Sequence, residues 1–309
     1  MLTKFPHVSI ALCTFNGEKH IKEQIESLIN QDYPNLEIIV VDDCSTDNTW
    51  AILSVYASQY KSIRLFRNEE NKGYVKNFEK ALSLCSGKYI ALADQDDIWH
   101  ISKISTLVNE IGDHCLIYHD SLFVDEKGMP IDNFRAGELF YMYEGDSALP
   151  LMLANCISGH AMMFHKDLLT YIDEFDPGLF HDWVISYTAF NIGRVKYIPV
   201  ALVHYRQHSQ SVTDPLKRKS SITLGDNRRG IQMLSVDLTW MKFCAGFKYN
   251  KEPDLINQCY DAFLGIRDGK DKIRAFLFLI KSLNLLTCII RPEKNLFSNI
   301  NFARKICFG

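Results

Sequence analysis

Asp94-Gln95-Asp96-Asp97 places three carboxylates within four residues, directly behind the apolar run Tyr89-Ile90-Ala91-Leu92-Ala93. Carboxylates this close repel one another and resist full ionisation unless a cation neutralises them. Mg²⁺ or Mn²⁺ suits the task, since either binds through one or two carboxylates and arrives with substrate phosphates. The stretch therefore predicts a metal-diphosphate site, against the plainer reading of a solvated turn with a helix cap. A second acidic pair, Asp42-Asp43, closes the run Leu36-Glu37-Ile38-Ile39-Val40-Val41 and precedes Cys44-Ser45-Thr46-Asp47. Capping explains Ser45, Thr46 and Asp47, and an Asx-turn is the plain account of the doubled acid. The chemical account is base reading. A carboxylate at a strand end accepts the imide N3–H of uracil or thymine, which cytosine cannot offer.

Both acidic groups need a scaffold, and the apolar pattern supplies one. Val8 to Cys13, Leu36 to Val41, Ser62 to Phe66 and Tyr89 to Ala93 are short apolar runs, and the first three each precede a helix-compatible segment. Ile21, Ile25, Leu28 and Ile29 give the first helix its apolar stripe, and Phe78, Ala81 and Leu82 the third. Repeated strand-helix units predict an α/β fold with a doubly wound, mostly parallel sheet and right-handed crossovers. Ligands in such sheets bind beyond the carboxyl ends of the strands. Thr14, Asp42, Asp43 and the Asp94 cluster all fall on that rim.

Composition bounds the function classes. With 309 residues, one main domain plus an appended piece is expected, divided at 1–215 and 216–309. A formal charge of −3 gives no case for nucleic acid as partner. Nine cysteines without a C-x-x-C spacing read as reduced thiols filling the core of a cytosolic protein. The N-terminus carries no sustained apolar h-region, so export is not expected. The tail differs: residues 266–309 hold nine Lys or Arg against three acids, a balance of +6 that leaves −9 for the rest. Its apolar runs, Ala275 to Ile280 and Leu283 to Ile290, are too interrupted for a span. Such a basic amphipathic, helical extension fits peripheral contact with an anionic leaflet, or a helix packed on the main domain with its basic face solvated.

No G-x-G-x-x-G or G-x-x-x-x-G-K-[ST] occurs, which removes dinucleotide and Walker-type readings. Receiver domains pair their acids after the first strand, whereas here they follow strands two and four. The ordered set Val8 to Gly17, Glu37 to Asp47, Asn71-Lys72-Gly73 and Gly87 to Asp97 resembles the family 2 glycosyltransferases, inverting nucleotide-sugar enzymes of the GT-A fold. By that resemblance Thr14, Asn16, Asp42, Asp43, Asp94 and Gln95 would line the nucleotide. Asp94 and Asp96 would hold Mg²⁺ or Mn²⁺, Asp96 as the more direct ligand.

Farther along, Ser158 to Phe164 reads as a strand at the site floor, and Phe180-His181-Asp182-Trp183 opens a helix. The family commonly carries Glu-Asp at that helix start. Asp182 thus inherits the role of catalytic base, while His181 departs from the pattern. Val203 to His208 closes another strand, where Arg206 or His208, with His181, would contact the diphosphate or acceptor. The Gln-x-x-Arg-Trp of processive members is absent, so one sugar per encounter is expected. The basic run Asp214 to Ser221 reads as a solvated loop.

Asp94-Gln95-Asp96-Asp97-Ile98-Trp99 looks like bacterial surface-polysaccharide transferases such as rhamnosyltransferases. That implies dTDP-rhamnose or a UDP-hexose as donor, an undecaprenyl-diphosphate-linked glycan as acceptor, and a place at the cytoplasmic face of the inner membrane. Two rival readings share the sheet: a nucleotide-sugar-binding protein that has lost catalysis, and a sugar-phosphate nucleotidyltransferase.

Overall fold

The computed structural model describes residues 5–139, 141–208, 237–290 and 294–308, without the side chains of 133 and 134. The chain forms two units, residues 1–137, 157–189 and 193–210 in the first and residues 138–156, 190–192 and 211–309 in the second. The boundary expected at 215/216 and the basic run 214–221 lie outside the described residues.

In the first unit β1 (Val8–Thr14), α1 (Ile21–Ile29), β2 (Leu36–Asp42), α2 (Thr49–Gln59), β3 (Ile63–Arg67), α3 (Tyr74–Leu84) and β4 (Tyr89–Ala93) alternate along the chain. Their four strands pair in parallel in the order β3-β2-β1-β4. Val8, Ile10, Leu12, Ile38, Val40 and Ala91 join Ile21, Ile25, Leu28 and Leu53 in one buried cluster. Because strand side chains alternate, Ala11, Ile39 and Val41 point to the other face, where α3 packs on β1 and β2. Burial on both faces explains why these runs are almost wholly apolar. The order reverses between β1 and β4, which brings the loops after these two strands side by side.

β5 (Ile98–Trp99), α4 (Lys103–Glu110), β6 (Leu116–Val124), β7 (Pro130–Arg135), β8 (Met162–His165), α5 (His181–Ile192) and β9 (Val195–Arg206) follow. The sheet continues from β4 as β8-β6-β9-β5, with β7 paired to β6, making nine strands among the described residues. Here β8 runs antiparallel to β4 and β6, whereas β6 and β9 are parallel. Ile98 pairs with His204, which ties the segment behind the acidic cluster to the end of β9. The strand expected from Ser158 starts only at Met162, after a 3₁₀ turn over Gly159–Ala161. Polar partners compete with the ladder there: the Lys103 Nζ donates to the His160 carbonyl at 2.5 Å, and the Gly159 amide turns to Asp182.

The second unit contains α6 (Leu238–Gly246), α7 (Pro253–Arg267), α8 (Lys272–Leu286) and α9 (Leu296–Phe308). Asp237 caps α6 by accepting from the amides of Thr239 and Trp240. Residues 138–156 belong here because their buried Leu149, Leu151 and Met152 pack with these helices, and the Trp240 indole donates to the Leu151 carbonyl at 2.8 Å. No helix among the described residues is long and apolar enough to cross a membrane. All nine cysteines are free thiols.

Candidate active site

The loops after β1 and β2 are laced together. Asn16 and Cys44 take left-handed backbone conformations, φ 49° and 63°, which turn both chains sharply at the strand ends. The Asn16 amide donates to the Ser45 Oγ at 2.9 Å, and the Thr46 amide donates back to the Asn16 Oδ1 at 2.8 Å. The Gly17 amide donates to the Thr49 Oγ1 and the Glu18 amide to the Asp47 Oδ2. Thr14 and Asp42 lie one layer below: the Thr14 hydroxyl donates to Asp42, whose other oxygen accepts from the Ser45 amide and faces the Arg67 guanidinium. Both are buried, so they brace the rim instead of presenting groups to a ligand. Asp43 accepts from Asn68 and from the amides of Lys72 and Gly73 at 2.7–2.9 Å, fixing the Asn71-Lys72-Gly73 loop against the end of β2. Phe15, given no role by sequence reasoning, stands 41% exposed among these loops.

Gln95 joins this rim to the acidic loop. Its amide accepts from the Phe15 N–H at 2.8 Å and donates to the Phe15 carbonyl at 3.1 Å. A Cβ on Gly17 would sit 2.3 Å from the Gln95 Oε1, so the bare backbone there admits the clamp. The Asp94 side chain is 43% exposed, Asp96 less so, and Asp97 is buried. Arg206, expected to face a diphosphate, is buried: its Nε donates to the Asp96 carbonyl, its Nη1 to the Glu126 carbonyl and its Nη2 to Glu23. Its own amide donates to Asp97 at 3.1 Å. The guanidinium therefore holds the acidic loop from behind. A cation at a strand end looks the same in sequence whether it faces a ligand or a loop. His208, two residues on, does reach the rim, with its Nε2 2.7 Å from the Asp96 Oδ2 and its ring stacked on His20 at 5.4 Å.

Beneath the acidic loop lies a buried polar set. His160 stacks on Tyr205 at 4.2 Å, and its Nδ1 is 3.9 Å from carboxylate oxygens of both Asp94 and Asp97. The Lys103 ammonium lies 3.3 Å from the centroid of the Trp99 ring. Burial pushes the Asp97 carboxyl well up, helped by Asp96 and Asp94, and burial likewise pushes the Lys103 ammonium well down. No sequence signal marks Lys103 or His160, because a helical lysine and an isolated histidine are ordinarily solvated or core residues.

Asp182 occupies the first turn of α5. Its carboxylate accepts from the Trp183 amide at 2.9 Å and from the Gly159 amide. Burial outweighs these bonds and lifts its pKa to about 7. Asp94 also rises to about 7, first through burial and then through the charges of Asp96 and Asp182. Asp94 therefore senses the charge of Asp182 across the site. His181 is buried, its ring stacked on Phe78 at 4.1 Å, with neither ring nitrogen hydrogen-bonded. Burial lowers its pKa to about 3, so the ring is neutral. Exposed Tyr74 and Phe180 flank this helix start, 6.2 Å apart, and Trp183 lies 6.4 Å from Phe180.

The donor chemistry fits a divalent cation. Asp94, Asp97 and His160 offer atoms within 4.8 Å of one another. Asp97 and His160 are buried beside Lys103, whereas Asp94 and, less so, Asp96 are open to solvent. The pKa of Asp94 is raised first by burial and only then by the charges of Asp96 and Asp182, and a bound cation would oppose all three.

The sequence profile of glycosyl transferase family 2 matches residues 9–171, more than half of the chain. An uncharacterized glycosyltransferase of Haemophilus influenzae is 30% identical over 258 residues, covering 74% of this chain and 77% of its own. The Escherichia coli UDP-Glc:alpha-D-GlcNAc-diphosphoundecaprenol beta-1,3-glucosyltransferase WfaP is 34% identical over 126 residues, 40% of this chain and 49% of its own. Among solved structures, Staphylococcus aureus TarS 1–349 in complex with UDP-GlcNAc superposes with a TM-score of 0.57 at 19% identity, over 97% of this chain and 90% of its own. The Pyrobaculum calidifontis mannosyltransferase PcManGT, in complex with GDP-Man and Mn²⁺, gives 0.56 at 16% identity over 98% and 86%. These likenesses establish a GT-A-like fold, in which the rim loops and the acidic loop follow the carboxyl ends of β1, β2 and β4. With its profile running through the β1, β2 and β4 loops that build the rim, this chain belongs to glycosyl transferase family 2.

Proposed function

We infer that this transferase moves one sugar, with inversion, from a nucleotide-diphosphate sugar to a hydroxyl of a glycan carried on undecaprenyl diphosphate. The observation that carries the reading is the Gly159-His160 segment, whose Gly159 amide bonds Asp182 while the His160 ring lies 3.9 Å from Asp94, which sets a proton acceptor and a diphosphate-type acidic loop at one cleft. The exposed Phe15 ring supports stacking on the nucleobase, held in place by Gln95. Asn16 and Asp43 shape the loops around the nucleoside, with Thr14 and Asp42 as their floor. Asp94 and Asp96 would hold Mg²⁺ or Mn²⁺, with His208 bonded to Asp96, and the cation when bound would offset the diphosphate charge.

Asp182 accepts the proton of the acceptor hydroxyl as that oxygen attacks C1 and the C1–O bond to the diphosphate breaks, releasing the nucleoside diphosphate, a contribution of typically 10²–10⁴-fold. Its pKa of about 7 suits a base working near neutrality. His181, neutral and buried with its ring on Phe78, packs the helix start that carries Asp182 and does not itself reach a sugar hydroxyl. Tyr74, Phe180 and Trp183 supply apolar faces for the acceptor ring. WfaP, a glucosyltransferase acting on a diphosphoundecaprenol acceptor, supports the lipid-linked class and a UDP-hexose donor. dTDP-rhamnose is the other donor to test, and bacterial surface-polysaccharide assembly at the cytoplasmic face of the inner membrane is the setting proposed.

Thermal stabilisation by UDP-glucose, UDP-galactose, UDP-N-acetylglucosamine and dTDP-rhamnose, each with Mn²⁺ and with EDTA, tests this reading. The true donor at 100 times its Kd adds about 2.7 kcal/mol, and EDTA abolishes that gain. A folded protein stabilised by none of the four refutes the donor assignment. Stabilisation unchanged by EDTA refutes the metal.

A further inference from the structure

The last helix of the second unit keeps several large apolar side chains out of its packed face. α9 buries Asn299, Ala303 and Cys307, one small or polar side chain per turn, and leaves Leu296, Phe297, Ile300 and Phe308 exposed. An amphipathic helix packed only on its own domain does the reverse. α8 lies antiparallel to it: Phe276 meets Phe308 at 5.7 Å, and at the other end the Asn299 amide donates to Asn284 at 2.8 Å. α8 buries Ala275, Leu279, Leu283 and Leu286, while Ile273 and Leu277, one turn apart, stay exposed. Phe297 is 79% exposed and Ile273 71%. Apolar side chains of this size, exposed on two adjoining helices, mark an interaction surface.

Charge decides what covers it. From Lys272 to Phe308 the sequence has seven Lys or Arg against one acid, Glu293. The exposed cations alternate with the apolar groups: Arg274 adjoins Ile273, Lys281 lies one turn beyond Leu277, and Arg304 lies between Ile300 and Phe308. Long cationic side chains so placed can keep their charge in water or against phosphates while the rings and branched chains beside them enter an apolar phase. A second copy of the chain would set this cationic face against itself, and like charges oppose that contact. We propose that the exposed face of α8 and α9 docks on an anionic lipid leaflet, with Ile273, Leu277, Phe297, Ile300 and Phe308 entering the acyl boundary and Arg274, Lys281 and Arg304 engaging lipid phosphates. The helices lie on the membrane, since neither is long and apolar enough to cross it. The inference deepens the membrane-face setting proposed above and rests on it.

Co-sedimentation of the full chain with phosphatidylglycerol-containing vesicles and with phosphatidylcholine vesicles tests it. Binding to the anionic vesicles only, weakened by salt, is expected. Replacing Leu277 and Phe297 by Ser should weaken binding about tenfold or more per side chain. Replacing Arg274, Lys281 and Arg304 by Ser should weaken it about a hundredfold in total, at about fivefold per cation. All five side chains are exposed, so the variants keep the fold, and donor-dependent thermal stabilisation should match that of the parent. That readout separates failure of the docking face from failure of the transferase reading. Undiminished vesicle binding by either variant overturns the proposal. So does a dimer in light scattering that Leu277→Ser/Phe297→Ser dissociates, which would make the face a contact between copies.

Discussion

At the scale of single residues, Asp182 carries opposed demands. Its hydrogen bonds and helix start favour the carboxylate, but burial wins and raises its pKa to about 7. The folded value lies above that of an unfolded carboxyl, so ionisation penalises the fold. The penalty is absent below pH 4, grows through neutrality and is complete above pH 7. Asp182→Asn should therefore abolish transfer while stabilising the protein by on the order of 1–2 kcal/mol at pH 8. The gain should vanish at pH 4, as thermal melts at the two pH values would show. In the parent, kcat/KM should rise with pH through about 7 as the base form appears. Undiminished turnover by the Asn variant would remove Asp182 from the mechanism. Gln95 acts through Phe15. Gln95→Ala frees both backbone bonds of Phe15 and should raise the KM for donor by about fivefold to tenfold, since one or two hydrogen bonds of about 1 kcal/mol set that ring. The kcat should change little, and an equal fall in kcat would place Gln95 nearer the reacting atoms.

At the scale of elements, the short loop between β4 and β5 depends on the end of β9. Arg206 bonds two backbone carbonyls and Glu23 from a buried position, so it links α1, the acidic loop and the β6–β7 turn. Arg206→Met leaves those groups without their donor and should cost about 3–5 kcal/mol in urea denaturation. Arg206→Lys should recover little, because an ammonium cannot reproduce the planar fork. A loss below 1 kcal/mol in Arg206→Met would return Arg206 to a ligand-facing role. This contact also shows what the sequence made legible. The runs expected at Val8, Leu36, Ser62 and Tyr89 became β1 to β4 within a residue at each end, and α5 begins at His181, because buried parallel strands and helix starts write local patterns. Gln95, Asp94 and Asp96 were placed on one rim for the same reason. Lys103, His160 and the inward turn of Arg206 are products of pairing between segments some 57 to 183 residues apart, and local pattern does not encode them. The 3₁₀ turn that replaced the start of the expected strand at Ser158 belongs with them, since its cause is a lysine from α4.

At the scale of the whole molecule, the C-terminal extension is more than an appendix. Residues 138–156 fall between β7 and β8 in sequence yet belong to the second unit, where Leu149, Leu151 and Met152 are buried with α6 and α8. A chain ending at residue 210 would strip those apolar side chains of their cover and leave the Leu151 carbonyl without its indole donor. Each large side chain so exposed forfeits about 1.5–3 kcal/mol, and the contiguous patch invites aggregation. A chain ending at residue 295 loses the buried Asn299, Ala303 and Cys307 of α9, the half-buried Phe302 and Ile306, and the Phe276–Phe308 and Asn284–Asn299 contacts. It should remain soluble, with a melting temperature lowered by about 2–8 °C, the shift expected for 1–2 kcal/mol in a chain of this size. Donor-dependent stabilisation should persist in the 295-residue chain and should not be measurable in the 210-residue one. Soluble expression and thermal melts of both truncations check the argument, and a monomeric, cooperatively melting 210-residue chain would show that residues 138–156 fold without the helices that cover them.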